Sequence, residues 1–477
     1  MKNIRKIIYL KFLFILLLMT GCKSLKDPIL PELSEVPTAF DSENDSTNTS
    51  VLSPQNLFND SNLISLIDSA LENNLALLRN KTTLQQLEAD ILEARSNLLP
   101  NVGAFAGYSN RKFGLHTMDG AGNITTPIGD GEIIPIRLND FNFGLQTSWE
   151  IDVWGKLKQQ KNATLSRYLA AKESQNMLKT AIVEQVVFNY FNLICLDESK
   201  RILEQNIKLN QELLFVLKEQ KEAAKTTQLS IQQFEALNLN YANDLLEIEQ
   251  TIYSAENELR NIIGEFEGEI KRSDFAGSKL IELEIQAGIP IQLLSNRPDI
   301  RQAEQTLLAT KADLMVARKM FYPSLSINGS IGYQAYKTRF LFSSPESIAY
   351  GLFGNLMAPI INMGALKANF KKASASQLDA YYGYQESILN AFTEINNVLF
   401  AIKTTEKMLT NKQQEMLKLK DARVISRELF NANRADYLEV LFAQQNALLA
   451  EMDYLELQKN QFLWKVYLYK AIGGGWQ

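Results

Sequence analysis

The chain has 477 residues, 46% of them hydrophobic and 22% charged, enough for a sizeable core and unlike a disordered or fibrous protein. One histidine, His116, and two cysteines, Cys22 and Cys195, exclude a His/Cys zinc site, an iron–sulfur cluster, a disulfide framework and any catalytic triad needing a second histidine. The formal net charge is −5; residues 1–21 hold four basic residues and no acid, so the remainder carries 45 basic against 54 acidic residues, a balance that argues against nucleic acid as a partner.

In chain order, the first element is a leader. Lys2, Arg5 and Lys6 precede the apolar run 7–19, interrupted only by Tyr9 and Lys11. That run is too short for a membrane span and reads as a signal peptide over residues 1–21. It ends in Leu18-Met19-Thr20-Gly21-Cys22, and the small-small-Cys ending resembles the lipobox of bacterial lipoproteins, with Met19 where Leu is usual. Cys22 is then the lipidated residue, carrying acyl chains such as palmitate, and the new N-terminus. Residues 22–60, with Pro28, Pro31, Pro37 and the polar stretch 42–50, read as this lipidated end plus an extended linker. Cys195 lies in the apolar run 186–196 and reads as a small buried hydrophobe.

Beyond the linker the chain is two copies of one plan. At an offset of 223, Ala89, Asp90, Ala94, Arg95 and Pro100 are repeated as Ala312, Asp313, Ala317, Arg318 and Pro323. Gly155-Lys156-Leu157-Lys158 is answered by Gly364-Ala365-Leu366-Lys367. At an offset of 207, Phe234, Tyr241, Leu245, Ile248 and Leu259 match Leu441, Leu448, Met452, Leu455 and Val466, with breaks at Leu237/Gln444 and Ile252/Lys459. The expected domains are a first repeat over 61–265 with a β-hairpin at about 102–153, an inter-repeat segment over 266–296, and a second repeat over 297–477 with a β-hairpin at about 325–358.

Each copy reads as helix, strand, loop, strand, very long helix, short break, long helix. Residues 141–153 put Phe141, Phe143, Leu145, Thr147, Trp149, Ile151 and Val153 on one face, and Asn142, Gly144, Gln146, Ser148, Glu150 and Asp152 on the other. Residues 325–336 and 348–358 alternate likewise; 102–108 does so more weakly. Such patterning fits a membrane β-barrel strand and equally a half-buried soluble strand. No proline occurs over 155–220 or 365–477. Positions 234, 237, 241, 245, 248, 252, 255, 259 and 262 advance in alternating steps of three and four, the seam of a left-handed coiled coil. Polar breaks near 218–227 and 427–436 suit antiparallel helical hairpins. Trp149 and Trp154 suit either a membrane interface or core packing, and His116 an exposed loop over 109–138.

Four strands cannot close a barrel, and an open sheet in lipid leaves backbone groups unpaired at several kcal/mol each. Strands in a membrane therefore require several chains.

Residues 288–304, G-I-P-I-Q-L-L-S-N-R-P-D-I-R-Q-A-E, followed by 312–323 and G-S-I-G-Y, resemble the TolC-like outer-membrane factors, specifically their lipoprotein efflux branch. The resemblance continues through W-E-I-D-V-W-G at 149–155 and Y-L-E-V-L-F-A-Q-Q-N-A-L-L at 437–449, and ends with A-I-G-G-G-W. It implies a fold mainly α with membrane β: a homotrimer whose twelve-stranded β-barrel, four strands per chain, continues into a long periplasmic α-helical barrel. It implies an exit duct in outer-membrane lipid that performs no chemistry and needs no cofactor or metal. The duct would dock with a periplasmic adaptor (membrane fusion) protein and an inner-membrane pump of the proton-driven resistance-nodulation-division type, and pass drugs, toxic compounds or metal ions. Export of a protein or peptide, or a non-conducting coiled-coil scaffold lipoprotein, are the alternatives.

The resemblance also points to residues. Counting back ten positions from Ala443 and Ala236 places the hairpin tips, and candidate adaptor contacts, at Asn433 and Thr226. Leu438, Glu439 and Phe442 map to the periplasmic gate, as a constriction more apolar than in relatives; the alternative is that Leu438 and Phe442 pack between helices. The Lys/Glu-rich faces at 200–225 and 403–428 are solvated surface or face the adaptor.

Overall fold

The computed structural model describes residues 28–32, 37, 40, 53–128, 132–275, 285, 287, 288, 290–361 and 363–476. The leader, Cys22 and most of the linker lie outside the described residues. In the first repeat α1 (Ser61–Asn73) and α2 (Leu75–Ser96) lead into β1 (Asn101–Lys112), and β2 (Arg137–Ile151) is followed by α3 (Lys156–Glu222) and α4 (Gln228–Ile263). The second repeat runs α5 (Pro298–Lys319), β3 (Ser324–Ala335), β4 (Ile348–Met357), α6 (Met363–Asn431) and α7 (Tyr437–Ala471). With 67 and 69 residues, α3 and α6 are each about 100 Å long at 1.5 Å per residue. No described helix is long and apolar enough to cross a membrane.

The chain divides into two compact units that cut across the repeats. Among the described residues, one takes in those of Gln86–Tyr168 and Gln305–Tyr382, and the other those of Glu32–Gln85, Leu169–Glu304 and Gly383–Gln477.

The first unit holds a four-stranded sheet in the order β1-β2-β3-β4, antiparallel throughout. The register aligns residues of one kind across all four strands: Ala104 lies opposite Leu145, Leu145 opposite Ile331, and Ile331 opposite Tyr350. Because side chains alternate, this register makes one continuous apolar face. It includes Val102, Tyr108, Phe141, Phe143, Leu145, Ile327, Ile331, Tyr333, Leu352 and Leu356. The other face carries Asn142, Gln146, Ser148, Glu150, Ser326, Asn328, Ser330 and Asn355, with glycines and the rings of Phe105 and Phe353 between them. Gly144 and Gly332 lie opposite each other there, and a Cβ on Gly144 would meet the Ile331 carbonyl at 2.3 Å, so no side chain fits. The outer edges of β1 and β4 have no partner strand among the described residues.

The turn from strand to long helix explains the W-E-I-D-V-W-G segment. The Asp152 carboxylate accepts the backbone N–H of Leu157 (3.0 Å) and Lys158 (2.8 Å), satisfying orphan donors at the start of α3. Gly155 takes the positive φ of 71° that the corner requires. Trp154 Nε1 donates to the Pro323 carbonyl (2.6 Å) and Trp149 Nε1 to that of Leu98 (3.0 Å), so both indoles pin the strands to the ends of α2 and α5. The polar loop expected over 109–138 is shorter. Both strands extend into it, and a helix at Met118–Thr125, N-capped by Thr117, occupies its middle; His116 is exposed there.

The second unit is helical. Ion pairs and hydrogen bonds between α3 and α4 run antiparallel: Lys218 to Glu235 (2.9 Å), Asn210 to Asn238 (2.9 Å), Lys200 to Glu249 (2.7 Å). The core is built from Leu63, Ile67, Tyr190, Phe191, Phe234, Leu259 and Phe462, with the Phe191 and Phe462 ring centroids 4.0 Å apart. Asp60 serves two purposes: it caps α1 through the N–H groups of Asn62 and Leu63, and accepts the Tyr190 hydroxyl at 2.8 Å.

Burial pushes the Cys195 thiol up to about 12 from an ordinary 9.0, and the Tyr190, Tyr241 and Tyr469 hydroxyls up to about 12 from 10.0. These groups hold their protons in the folded chain while the unfolded chain releases them. Their stabilising effect is therefore complete below about pH 9 and is lost as pH rises toward 12. The urea midpoint is expected to fall between about pH 8 and about pH 10.5, and native Cys195 to resist alkylation at the lower pH, because the thiolate is the nucleophile.

Candidate channel site

The sheet offers two surfaces of different chemistry on a single layer. The apolar face suits hydrocarbon and the amide, hydroxyl and glycine face suits a water-filled lumen. Aromatic rings stand near both ends of the apolar face: Tyr108 and Phe141 (4.9 Å) with Phe143 and Tyr333 (5.4 Å) at one end, Trp154 and Tyr322 (5.3 Å) at the other.

At the far end of the helices, the turns at 223–227 and 432–436 share one hydrogen-bond pattern. Lys225 N–H donates to the Gln220 carbonyl (2.9 Å) and Ala224 N–H to that of Lys221 (2.9 Å); Arg434 donates to Leu429 (2.8 Å) and Asn433 to Phe430 (3.0 Å). These are Schellman caps, which need a left-handed residue after the helix. Those residues are Ala224 (φ 57°) and Asn433 (φ 54°). The tip equivalent to Asn433 is thus Ala224, not Thr226. Counting back along the return helix misplaces it because the outgoing helix carries a spacing of 209, that of Gly155 and Gly364, instead of 207. Thr226 lies beyond the cap, where its hydroxyl shares a 2.8 Å hydrogen bond with Ser230.

Leu438, Glu439 and Phe442 all sit in the first two turns of α7, whose N-cap is Asp436. Glu439 and Phe442, three residues apart, are exposed on one helix face, with Phe442 58% accessible. Leu449, seven residues further on, continues that exposed side. Leu438 is half-buried against the helical core.

Two polar clusters were not anticipated from the sequence. Arg297 is buried between α5, α6 and α7. It grips Asp299 with Nε (3.0 Å) and Nη2 (2.7 Å), and donates from Nη1 to Glu394 (2.8 Å) and to the Ala471 carbonyl (2.5 Å) at the end of α7. Burial opposes its charge, but Asp299 and Glu394 more than offset this and raise its pKa. The N-R-P-D run therefore fastens the C-terminal helix, while Pro298 opens α5. The second cluster links the two helical hairpins. Arg423 on α6 donates to Asn206 on α3 (3.2 Å) and to Glu451 on α7 (3.2 Å), which Lys420 also approaches at 3.2 Å. Its sequence signal was Asn206 and Asn210 occupying the seam positions between Leu203 and Leu213.

A two-faced antiparallel sheet whose edges have no partner among the described residues, each hairpin followed in sequence by paired helices of this length in two repeats, fits the class of trimeric channels in which a β-barrel continues into an α-helical barrel. The chain belongs to the outer membrane efflux protein family, which matches residues 66–265 and 289–474. It is similar to the pyoverdine export outer membrane protein OpmQ of Pseudomonas aeruginosa, 29% identical over 415 residues, 87% of this chain and 85% of that one. It is similar to the solvent efflux pump outer membrane protein SrpC of Pseudomonas putida, 28% identical over 97% of both. The crystal structure of the Campylobacter jejuni CmeC outer membrane channel superposes with a TM-score of 0.82 at 26% identity, covering 94% of this chain and 95% of that one. The protein is accordingly an outer-membrane transport component and not an enzyme.

Proposed function

We propose that three copies of this chain close into a passive exit duct for small solutes, fed by an inner-membrane pump of the proton-driven resistance-nodulation-division type through a periplasmic adaptor. The single observation that supports this reading is the sheet: one face apolar across four strands, the other mainly amide, hydroxyl and glycine, and both edges without a partner strand among the described residues. Edge strands in lipid need partners, and copies of the same chain supply them. The proposed cargo is small solutes, namely drugs, toxic compounds or metal ions, in keeping with similar proteins named for pyoverdine export, solvent efflux and cation efflux. Acylation of Cys22 would tether the mature chain to the outer membrane, in addition to the barrel.

At the helical end, the turns around Ala224 to Thr226 and Asn433 are the proposed adaptor contacts. Glu439 and Phe442 are the proposed constriction, a charge beside an aromatic ring on one exposed face, with Leu438 supporting them from the core side. Apolar rings gate by excluding water.

Native mass spectrometry of protein purified from outer membranes is expected to give three acylated chains, and the trimer to conduct in planar bilayers. Phe442→Ala is expected to raise the closed-state current. An unchanged current removes Phe442 from the gate, and a monomer that leaves bilayers silent removes the duct itself.

A further inference from the structure

The apolar face of the sheet ends, at the loop side, in an ordered series of rows. Tyr108 lies opposite Phe141, then Asn110 opposite Asn139, then Lys112 opposite Arg137. The parity is continuous, so Lys112 and Arg137 stand on the face that carries Leu145 and Ile331 and not on the polar one. The amide row is knit together: Asn110 Nδ2 and the Tyr108 hydroxyl both donate to Asn139 Oδ1, at 2.6 and 3.2 Å. The cation row has no such partner. Both residues are exposed, and neither makes an ion pair among the described residues. The acid nearest in sequence, Asp140, belongs to the opposite face, where both of its oxygens accept from Gln334 Nε2 (2.9 and 3.0 Å).

Like charges directly opposite each other on neighbouring strands repel and destabilise the pair. The other end of the sheet shows no such arrangement: Lys156 pairs with Glu150 at 2.6 Å and Lys319 donates to the Gly155 carbonyl at 3.1 Å. Two cations held together without an acid form an incomplete site that a dianion between them would complete. Its height decides what the anion is. It lies just beyond the aromatic rows, on the lipid-facing side, where headgroups begin. A phosphate there is one attached to acyl chains lying along the apolar rows below.

We propose that Lys112 and Arg137 form an anion-binding rung that takes the phosphate of an outer-leaflet lipid. The inference rests on the assignment of the apolar face to lipid made under the proposed function. Each closed trimer then carries one rung per chain, fixing phosphorylated lipid around the outer rim and relieving the Lys112/Arg137 repulsion.

The test uses the full-length trimer in detergent, titrated with phosphorylated lipid A and with the same lipid after phosphatase treatment, bound lipid being counted by native mass spectrometry. Wild type is expected to retain the phosphorylated form about tenfold better, and Lys112→Gln/Arg137→Gln to lose that preference while remaining a conducting trimer. Equal retention of both lipids by wild type, or an unaltered preference in the double variant, overturns the proposal. So does displacement of the lipid by equimolar inorganic phosphate, which would make the rung a site for free anions. Loss of preference with conduction intact supports the rung. A wild type that neither trimerises nor conducts overturns the duct, and the rung with it.

Discussion

Leu145→Arg is expected to prevent stable assembly in the outer membrane. Leu145 sits between Ala104 and Ile331 at the centre of the apolar face, and a guanidinium at the bilayer midplane costs about 2–4 kcal/mol per chain. Three such charges cost about 6–12 kcal/mol in one assembly, comparable to the margin of about 5–15 kcal/mol by which a typical protein is folded. The neighbouring change, Gln146→Arg, puts the same charge between Gly103 and Ser330 on the polar face. There it meets water, so trimer yield is expected to stay near wild type while the conductance shifts toward anions. The measurement is the heat-modifiable trimer band together with single-channel selectivity. If both variants behave alike, the two faces of the sheet have been assigned wrongly.

Arg297→Ala is expected to destabilise the helical unit by about 3–5 kcal/mol, the cost of removing one partner from a buried charged cluster. The loss has two parts. Asp299 and Glu394 lose the guanidinium that both hydrogen-bond to, and the Ala471 carbonyl at the end of α7 loses a donor. Arg297→Lys is expected to recover little, since a point charge cannot hold both Asp299 oxygens and reach Glu394 and Ala471 as the planar fork does. Urea unfolding followed by far-UV circular dichroism measures both. A midpoint unchanged in Arg297→Ala would show that the cluster contributes nothing net, as some buried ion pairs do.

What could be read from the sequence was whatever the backbone period writes locally. The alternation from Phe141 to Val153 located β2 and its two faces, and the three-and-four steps from Phe234 to Ile262 located α4 and its buried side. Pro100 and Pro323 marked the helix-to-strand transitions. What was hidden depends on residues distant in the chain. The Arg297 cluster joins positions 97 and 174 residues further on. The Arg423–Asn206 bond spans 217 residues. The Ala224 tip was missed because Ala carries no glycine-like mark of a left-handed turn; only the Schellman bonds from Ala224 and Lys225 reveal it. Lys112 and Arg137 look like ordinary loop charges until the strand register places them opposite each other. Gln444 broke the coiled-coil pattern, yet it is 2% exposed, so the seam continues through it with a buried amide.

The Schellman residues, with Gly155 at the corner before α3 and Gly364 in the first turn of α6, also work as a ruler. Gly155 to Ala224 and Gly364 to Asn433 are the same 69 steps apart, although the loops elsewhere in the two halves differ in length. Deleting one residue from α3 alone would rotate everything after it by about 100° and pull its tip back by about 1.5 Å relative to that of α6. Lengthening or shortening of α3 and α6 that keeps the two tips level and the seam in phase would therefore occur in both helices together and in multiples of seven. Homologues of other lengths should show paired insertions, which gives an alignment rule for engineering ducts of a chosen reach.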